Sequence, residues 1–392
     1  MSSRAIRRLR NFTDWAVIVI FVAAIFAPPV QMFFSPIDTW SDGENRALAV
    51  MPPWPKNGQN LTGLTIKIDR FLDDHFGFRQ DYIARYQRQM LRWFDILPAS
   101  MPVLRGLDGW YFFTMFQLLD DFYGRIPLTA AQIQTWIKTQ TEKQRWLYEQ
   151  GIRYLLVIPP NKQSVYPQML DENALAAQKK SRRDQVVAAL GDKTFAFMPD
   201  LQEKFRNYSG GKPLYYRGDS HWNDLGASLA FQEMINTLSR WFPGTNFHTD
   251  YAITKKINGR GGNSGMGGDL VRIVGIPNHR ENYPCFARRP RGIKRLPLPY
   301  HFSDLPPQPD RPSYLTRAPR AKNQLKALVF RDSFFVPLAP LIAENFGEVI
   351  FLWKSYDKKN VEEAIAHFKP DVVIEEIVER HMFDFMLKKE KP

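Results

Sequence analysis

The sequence predicts an α/β protein with a mainly parallel sheet, preceded by a single N-terminal transmembrane helix. Short, continuous apolar runs alternate with helix-like patterns through most of the chain, which is typical of buried parallel strands covered by helices on both faces. A separate uncharged segment near the N-terminus is long enough to cross a bilayer. The 392 residues, 44% hydrophobic and 24% charged, have a globular composition and can bury a sizeable core.

The uncharged segment covers residues 15–34 and contains one strongly polar side chain, Gln31. Twenty helical residues at about 1.5 Å each span the roughly 30 Å hydrocarbon core. Four arginines among residues 1–14 predict a cytoplasmic N-terminus and place the remaining chain across the membrane. A cleaved signal peptide and a buried core helix are the alternatives, but Pro28-Pro29 and the bulky residues after them form no A-x-A cleavage site.

Residues 35–95 read as a stalk that leads into helical structure. The Pro-rich stretch 51–55 cannot be regular, and residues 64–93 then carry apolar side chains at helical spacing, interrupted at Gly77. The main domain is expected over residues 96–390. Its predicted strands are 101–104, 110–113, 154–158, 195–198, 325–330, 349–353 and 371–377, and its predicted helices are 130–150, 184–190, 225–242, 340–346 and 361–368.

An insertion at 255–322 interrupts this alternation and is predicted to be irregular, first Gly-rich and then Pro-rich. Between Arg288 and Lys322 it carries nine Lys or Arg against two Asp, a large share of the net charge of +13. Such a segment is a solvated loop, a grip on an acidic polymer, or a contact with anionic lipid headgroups. No nucleic-acid-binding motif is present. The single cysteine, Cys285, excludes an intrachain disulfide, and the seven histidines show no metal-ligand spacing.

Two short motifs could carry chemistry, Gly218-Asp219-Ser220-His221-Trp222-Asn223 and Arg331-Asp332-Ser333-Phe334. Ser333 directly follows a predicted strand, and ligands of open α/β sheets bind at the carboxyl ends of strands. A serine hydroxyl needs a base to take its proton, and the base needs a carboxylate to fix its tautomer; His221 and Asp219 supply these groups. Two alternatives stay open: Asp219 caps the following helix, or Ser264 in Asn263-Ser264-Gly265 is the nucleophile.

The run 219–230 resembles the last conserved block of SGNH/GDSL hydrolases, and 154–167 resembles the strand and loop that precede it. In those enzymes the serine comes first, whereas here it comes last. That order, together with Glu44-Asn45-Arg46 and the motif at 76–79, resembles the AlgJ/AlgX group of polysaccharide O-acetyltransferases. The resemblance implies an SGNH-like α/β/α sandwich with Ser333 as nucleophile, His221 as base and Asp219 as the acid that orients it.

The resemblance also implies an inner-membrane protein whose catalytic domain faces the periplasm. It would transfer acetyl groups to an exopolysaccharide such as alginate, with a membrane-bound O-acyltransferase partner as donor and no soluble cofactor. A carbohydrate esterase and a non-catalytic glycan-binding assembly protein are the alternatives. Candidate oxyanion or substrate-binding residues are Asn161, Lys162, Trp222 and Arg331, the last standing where the GDSL pattern has glycine.

Overall fold

The computed structural model describes residues 3–35, 37–41, 46–54, 61–94, 96–97, 101–191, 197–262, 268–276, 279–287, 290, 292–305, 312–319, 321 and 323–387. The chain divides into two compact units. The first is Met1–Met101 with Arg272–Ile276, and the second is Pro102–Val271 with Pro277–Pro392.

The first unit is mainly helical. Helix α1 (Ser3–Phe34) contains a 23-residue stretch, Phe12–Phe34, with a mean hydropathy of 2.3 and almost no buried residues. By length and composition this stretch can cross a membrane. Two short antiparallel strands follow, β1 (Trp40–Ser41) and β2 (Arg46–Ala47), and then α2 (Leu61–His75) and α3 (Arg79–Phe94). The predicted interruption at Gly77 is confirmed, because the two helices end and begin on either side of it.

The second unit opens with a hairpin of β3 (Val103–Arg105) and β4 (Tyr111–Phe113), as predicted from the Asp108-Gly109 turn. Its main sheet has six strands in the order β5-β12-β10-β11-β9-β8. The strands β5, β12, β10 and β11 run parallel to one another, and β9 pairs antiparallel with both β11 and β8. These strands are β5 (Arg153–Val157), β8 (Lys294–Leu296), β9 (Tyr314–Arg317), β10 (Lys326–Phe330), β11 (Glu348–Leu352) and β12 (Val372–Glu376).

Helices and short 3₁₀ turns connect these strands. The helices are α4 (Leu118–Phe122), α5 (Ala130–Glu149), α6 (Lys162–Val165), α7 (Ala174–Ala177), α8 (Arg182–Leu190), α9 (Leu201–Arg206), α10 (Asp224–Trp241), α11 (Asp269–Ile273), α12 (Ala339–Asn345), α13 (Lys358–His367) and α14 (Asp384–Leu387). Thr129 caps α5 with a capping box. Asn223, rather than Asp219, caps α10: its side chain accepts the Leu225 and Gly226 N–H groups, so the alternative that Asp219 is this cap is wrong.

Hydrophobic cores cover both faces of the sheet, because successive strand residues point to opposite sides. Leu155 and Val157 of β5 pack into one core with residues of α10 and α12. Tyr154 and Leu156 pack into the other core with residues of α5, α8 and α13. Helices on both faces of a mixed, mainly parallel sheet confirm the predicted α/β fold class.

The insertion at 255–322 is more regular than its composition predicts. It holds an antiparallel pair, β6 (Ile253–Gly259) and β7 (Glu281–Phe286), and it supplies β8 and β9 to the main sheet. The expectation of irregular structure was wrong because these strands have no continuous apolar run. Most side chains of β6 are exposed, and β8 is an edge strand. Residues 195 and 196 of the predicted strand at 195–198 lie outside the described residues, and 197–198 are not in a strand.

Candidate active site

The turn that carries Ser333 is fixed by carboxylates at the carboxyl ends of β10 and β12. The Asp332 side chain accepts the Phe334 N–H at 2.7 Å and the Val378 N–H at 3.1 Å. Glu376, the last residue of β12, accepts the Asp332 N–H at 2.8 Å. The hydroxyl of Ser333 therefore stands, partly exposed, at the end of a strand in the middle of the sheet.

The loop before α10 brings His221 and Asp219 to this serine. His221 Nε2 lies 2.7 Å from Ser333 Oγ, and its Nδ1 lies 2.6 Å from Asp219 Oδ1. The same carboxylate oxygen accepts the His221 backbone N–H at 2.8 Å, which fixes the i, i+2 pair in an extended turn. Asp219 and His221 are both buried. Their contact distances match those between a nucleophile, its base and the base's orienting acid.

Asp219 and His221 also shift each other's pKa values. Burial alone would raise the pKa of the Asp219 carboxyl, but the charge and hydrogen bonds of His221 lower it. Burial alone would lower the pKa of His221, but the Asp219 carboxylate and, more weakly, Asp269 raise it. An ionised Asp219 holds the proton of neutral His221 on Nδ1. The Nε2 lone pair is then directed at the Ser333 hydroxyl.

Glycines allow the start of the insertion to lie against this loop. Gly262 and Gly268 have positive φ angles of 93° and 90°. A Cβ on Gly262 would lie 2.4 Å from Asp219 Oδ2, and one on Gly268 would lie 2.3 Å from the Gly218 carbonyl oxygen. Only glycine permits this approach without strain. It brings in Asp269, whose N–H donates to Asp219 Oδ2 at 3.1 Å and which sequence analysis missed.

Lys162 has a structural position that its sequence did not indicate. Its buried Nζ donates to the carbonyl oxygens of Tyr111 at 2.7 Å, Arg217 at 2.8 Å and Asp219 at 3.1 Å. Burial lowers the pKa of this ammonium to about 7. Both earlier expectations, a contact with an anionic sugar and a surface lysine, are therefore wrong, because three backbone carbonyls take its donors.

Trp222 is also a support rather than a stacking surface. Its side chain is fully buried, packs edge-on against Phe334, and donates its Nε1–H to the Phe334 carbonyl oxygen at 2.9 Å. The expectation that it could stack on a sugar ring is wrong, since no face is exposed. The alternative, that it forms a wall beside the base, agrees with the packing, and it also fixes the residue after Ser333.

Arg331 likewise has its guanidinium engaged within the protein. The group lies 4.3 Å from the centre of the Trp353 ring and 5.5 Å from that of Tyr314, and it donates to the Pro312 carbonyl oxygen at 3.1 Å. The residue is 4% exposed. Its expected role as a substrate-binding side chain finds no support in these contacts, which anchor the strand end before Ser333.

Asn161 stays a candidate donor. It follows β5 at the carboxyl edge of the sheet, where its backbone N–H donates to Glu379 Oε2 at 2.6 Å. Its side chain does not cap α6, so the alternative of a capping residue is wrong. Its buried Oδ1 has no hydrogen-bond partner in the part of the chain that the structure describes. This atom is an acceptor, so the donor role of Asn161 rests on its side-chain NH2 group.

Arg380 is a second residue that sequence analysis missed. Its guanidinium lies 5.3 Å from the ring centre of Phe334 and 5.7 Å from that of Phe113. Its Nε is buried without a partner, and no ion pair of Arg380 occurs among the described residues. The strand order places the end of β12, and hence Arg380, between the ends of β5 and β10. Its position just after the last parallel strand was the signal that could have identified it.

Asp219, His221 and Asp269 are the residues that could hold a metal ion, with ligand atoms within 4.8 Å of one another. Hydrogen bonds already use these atoms: Asp219 Oδ1 accepts the Nδ1 proton, and Asp269 Oδ2 accepts the Ser220 hydroxyl at 2.6 Å. A cation there would displace the proton that orients His221. The cluster therefore fits a proton-transfer site better than a metal site.

A cleft of about 560 Å³ lies beside the loop that leads into Asp219 and His221. Arg217, two residues before Asp219, lines it together with Arg280 and Asn282 of the β6–β7 pair. These amide and guanidinium groups can donate to hydroxyl and carboxylate oxygens. Ser264, the alternative nucleophile, and Arg288, Arg289 and Arg291 of the basic segment lie outside the described residues, as do Glu44 and Asn45.

Comparison with known proteins agrees with the motifs. Residues 103–290 match the family described as an SGNH hydrolase-like domain, acetyltransferase AlgX. The resemblance to AlgJ/AlgX-like proteins is thus confirmed. The match includes Asp219 and His221 but ends before Ser333. No curated protein matches the chain significantly.

Solved structures with a similar fold include three bacterial proteins. PatB1 of Bacillus cereus with a sulfonyl adduct shares 16% identity over 71% of this chain and 97% of that chain, with a TM-score of 0.48. The O-acetyltransferase domain of Pseudomonas putida AlgJ shares 17% over 72% and 92%, with a TM-score of 0.44. Pseudomonas aeruginosa AlgX shares 17% over 76% and 65%, with a TM-score of 0.43.

The buried carboxyl of Glu379 generates a testable prediction about stability. Burial raises its pKa to about 7, from an unfolded value near 4.5. The folded state therefore binds the proton more tightly, and the free energy of unfolding should fall as pH rises from about 4.5 to 7, by roughly 3 kcal/mol from this group.

We expect Glu379→Gln to remove that fall, as measured by chemical denaturation at pH 5 and pH 8. Glu362→Gln, on the exposed face of α13, is the control. An unchanged pH dependence in Glu379→Gln would contradict the assignment.

Proposed function

We propose that this protein is an O-acetyltransferase that moves an acetyl group through an acyl-Ser333 intermediate onto a hydroxyl of an exopolysaccharide. The observation that carries the proposal is the continuous contact from Asp219 through His221 to Ser333, at 2.6 and 2.7 Å. The family match at 103–290 supports acetyl transfer as the reaction class.

In the first half-reaction, Ser333 Oγ attacks the acyl carbonyl carbon while His221 Nε2 takes the hydroxyl proton. The resulting imidazolium is stabilised by Asp219, which stays ionised because its pKa is lowered. The tetrahedral intermediate collapses when the bond to the donor oxygen breaks. His221 returns the proton to that oxygen, which leaves acetyl-Ser333.

In the second half-reaction, an acceptor hydroxyl attacks the acetyl-serine. His221 Nε2 takes the proton of the acceptor and gives it to Ser333 Oγ as the ester bond to serine breaks. Water in place of the sugar would make the protein an esterase. The cleft beside Arg217 and Arg280 supports a sugar acceptor, because its polar groups lie next to the loop that carries the base.

Negative charge develops on the acyl oxygen in both half-reactions and needs fixed donors. Asn161 is the side chain we assign to this task, because its amide carries an N–H donor group and the residue lies at the same edge of the sheet as Ser333. Arg380, which lies over the ring of Phe334, adds a positive charge near the same point.

The helix Phe12–Phe34 supports anchoring in the inner membrane with the catalytic domain in the periplasm. A donor on the membrane, of the membrane-bound O-acyltransferase class, would then supply the acetyl group. The net charge of +13 favours an anionic acceptor such as alginate.

Replacing the serine tests the intermediate. Incubation of the full-length protein with an activated acetyl ester should add one acetyl group to the peptide that contains Ser333, as detected by mass spectrometry. Ser333→Ala should lose the adduct and most of the ester turnover, since no other hydroxyl lies at His221 Nε2 among the described residues. Ser209→Ala, at an exposed position, is the matched control.

The same experiment separates the alternatives. Turnover retained in Ser333→Ala but lost in Ser264→Ala would move the nucleophile to the Gly-rich segment. Acetylated oligosaccharide as the product identifies a transferase, and free acetate alone identifies an esterase. No turnover in the wild type would support the non-catalytic glycan-binding protein.

Asn161→Ala tests the oxyanion donor. We expect kcat to fall by about 10²- to 10³-fold with little change in KM, because the lost donor acts on charge present only in the transition state. Transfer and hydrolysis should fall together, since both pass through the same oxyanion. Asn173→Ala, in the exposed turn before α7, is the control. An unchanged kcat would exclude Asn161 from this role.

A further inference from the structure

Asp269 is a second carboxylate at the base, delivered by a different part of the chain from Asp219. Its Oδ2 lies 3.8 Å from His221 Nδ1. The same oxygen accepts the Ser220 hydroxyl at 2.6 Å, and Oδ1 accepts the Ser220 N–H at 2.7 Å. In return, the Asp269 N–H donates to Asp219 Oδ2 at 3.1 Å. The Asp269 side chain therefore holds Ser220, and the Asp219 side chain holds the Asp269 backbone.

We propose that Asp269 is a positioning residue for His221: it fixes the loop Asp219-Ser220-His221 and adds a second negative charge beside Nδ1. This role rests on the proposed function, in which His221 is the general base. It also gives a reason for the glycines at 262 and 268, because a side chain at either position would push the Asp269 segment away from the loop.

A purely structural role would require only the two hydrogen bonds to Ser220, and an asparagine could keep both contacts, accepting the Ser220 N–H with its oxygen and donating from its NH2 group to Ser220 Oγ. The carboxylate has an added cost, because burial and the nearby Asp219 raise the pKa of Asp269. Two carboxylates in one buried site are unfavourable unless a positive charge compensates them. That compensation arises when His221 becomes an imidazolium during the reaction.

The charged groups around His221 act in opposite directions. Asp219 from its own loop and Asp269 from the start of α11 favour the imidazolium. Arg380, from the turn after β12, opposes it. Lys162 contacts the Asp219 carbonyl oxygen and not the ring. Removing Asp269 should therefore lower the pKa of His221, and removing Arg380 should raise it.

The experiment is an NMR titration of the full-length protein in detergent with ¹³C-labelled histidine, where His221→Gln assigns the signal. We expect His221 of Asp269→Asn to titrate at lower pH than in the wild type, and that of Arg380→Gln at higher pH. Asp269→Glu keeps the charge and should restore most of the wild-type value. Asp304→Asn, at an exposed position in the same insertion, should titrate as the wild type does.

Kinetics provide the second measurement. The acidic limb of kcat/KM for an activated acetyl ester reports the pKa of the free base, so it should move to lower pH in Asp269→Asn while the plateau falls. An unchanged His221 titration in a folded Asp269→Asn protein would overturn the inference. The NMR readout does not depend on turnover, so an inactive wild type or an active Ser333→Ala would refute the proposed function without deciding the role of Asp269.

Discussion

The candidate site depends on the hydrogen bonds that the buried Nζ of Lys162 donates. Its three donors join the carbonyls of the β4 hairpin, of Arg217 and of Asp219. Three separate segments are thereby fixed to the first turn of α6, directly after β5. Burying an amino group, whose pKa burial lowers to about 7 here, is costly unless its donors are satisfied, so this arrangement stabilises one loop geometry over its alternatives. The backbone of Asp219, whose side chain contacts His221, is held in this way.

Buried carboxylates fix the neighbouring strand ends by accepting hydrogen bonds from the backbone. Asp332 and Glu376 tie the serine turn to β12, and Glu379 ties Asn161 to the turn that follows β12. All accept backbone N–H groups, which compensates part of the cost of burial. Arg380 stands among these acids without a direct ion pair in the described chain, so its charge is available to a bound group.

The sequence predicts the parallel strands and their helices well, because continuous apolar runs such as 349–353 have few alternative structures. It also predicts that Asp219, His221 and Ser333 act together. Ser333 follows a predicted strand, Asp219 and His221 lie in a predicted loop, and the resemblance gives the three residues matching roles. It fails for Lys162, whose residue type is common on surfaces and whose burial depends on distant carbonyls, and for Trp222, whose position depends on its contacts with Phe334. Asp269 and Arg380 lie in no recognisable motif, and only the tertiary fold shows what they approach. The strands of the insertion were missed because their pairing, rather than their composition, makes them strands.

The order of strands along the chain has a consequence for biogenesis. The first strand of the main sheet, β5, pairs with the last, β12, and β10 fills the place beside β12. Pairing across more than half of the chain makes folding slow, because loop-closure entropy must be overcome before the contacts form. During synthesis β5 has no partner until almost the whole polypeptide has emerged. A chaperone that shields this strand until β12 has been made would then increase the fraction of chains that reach the folded state.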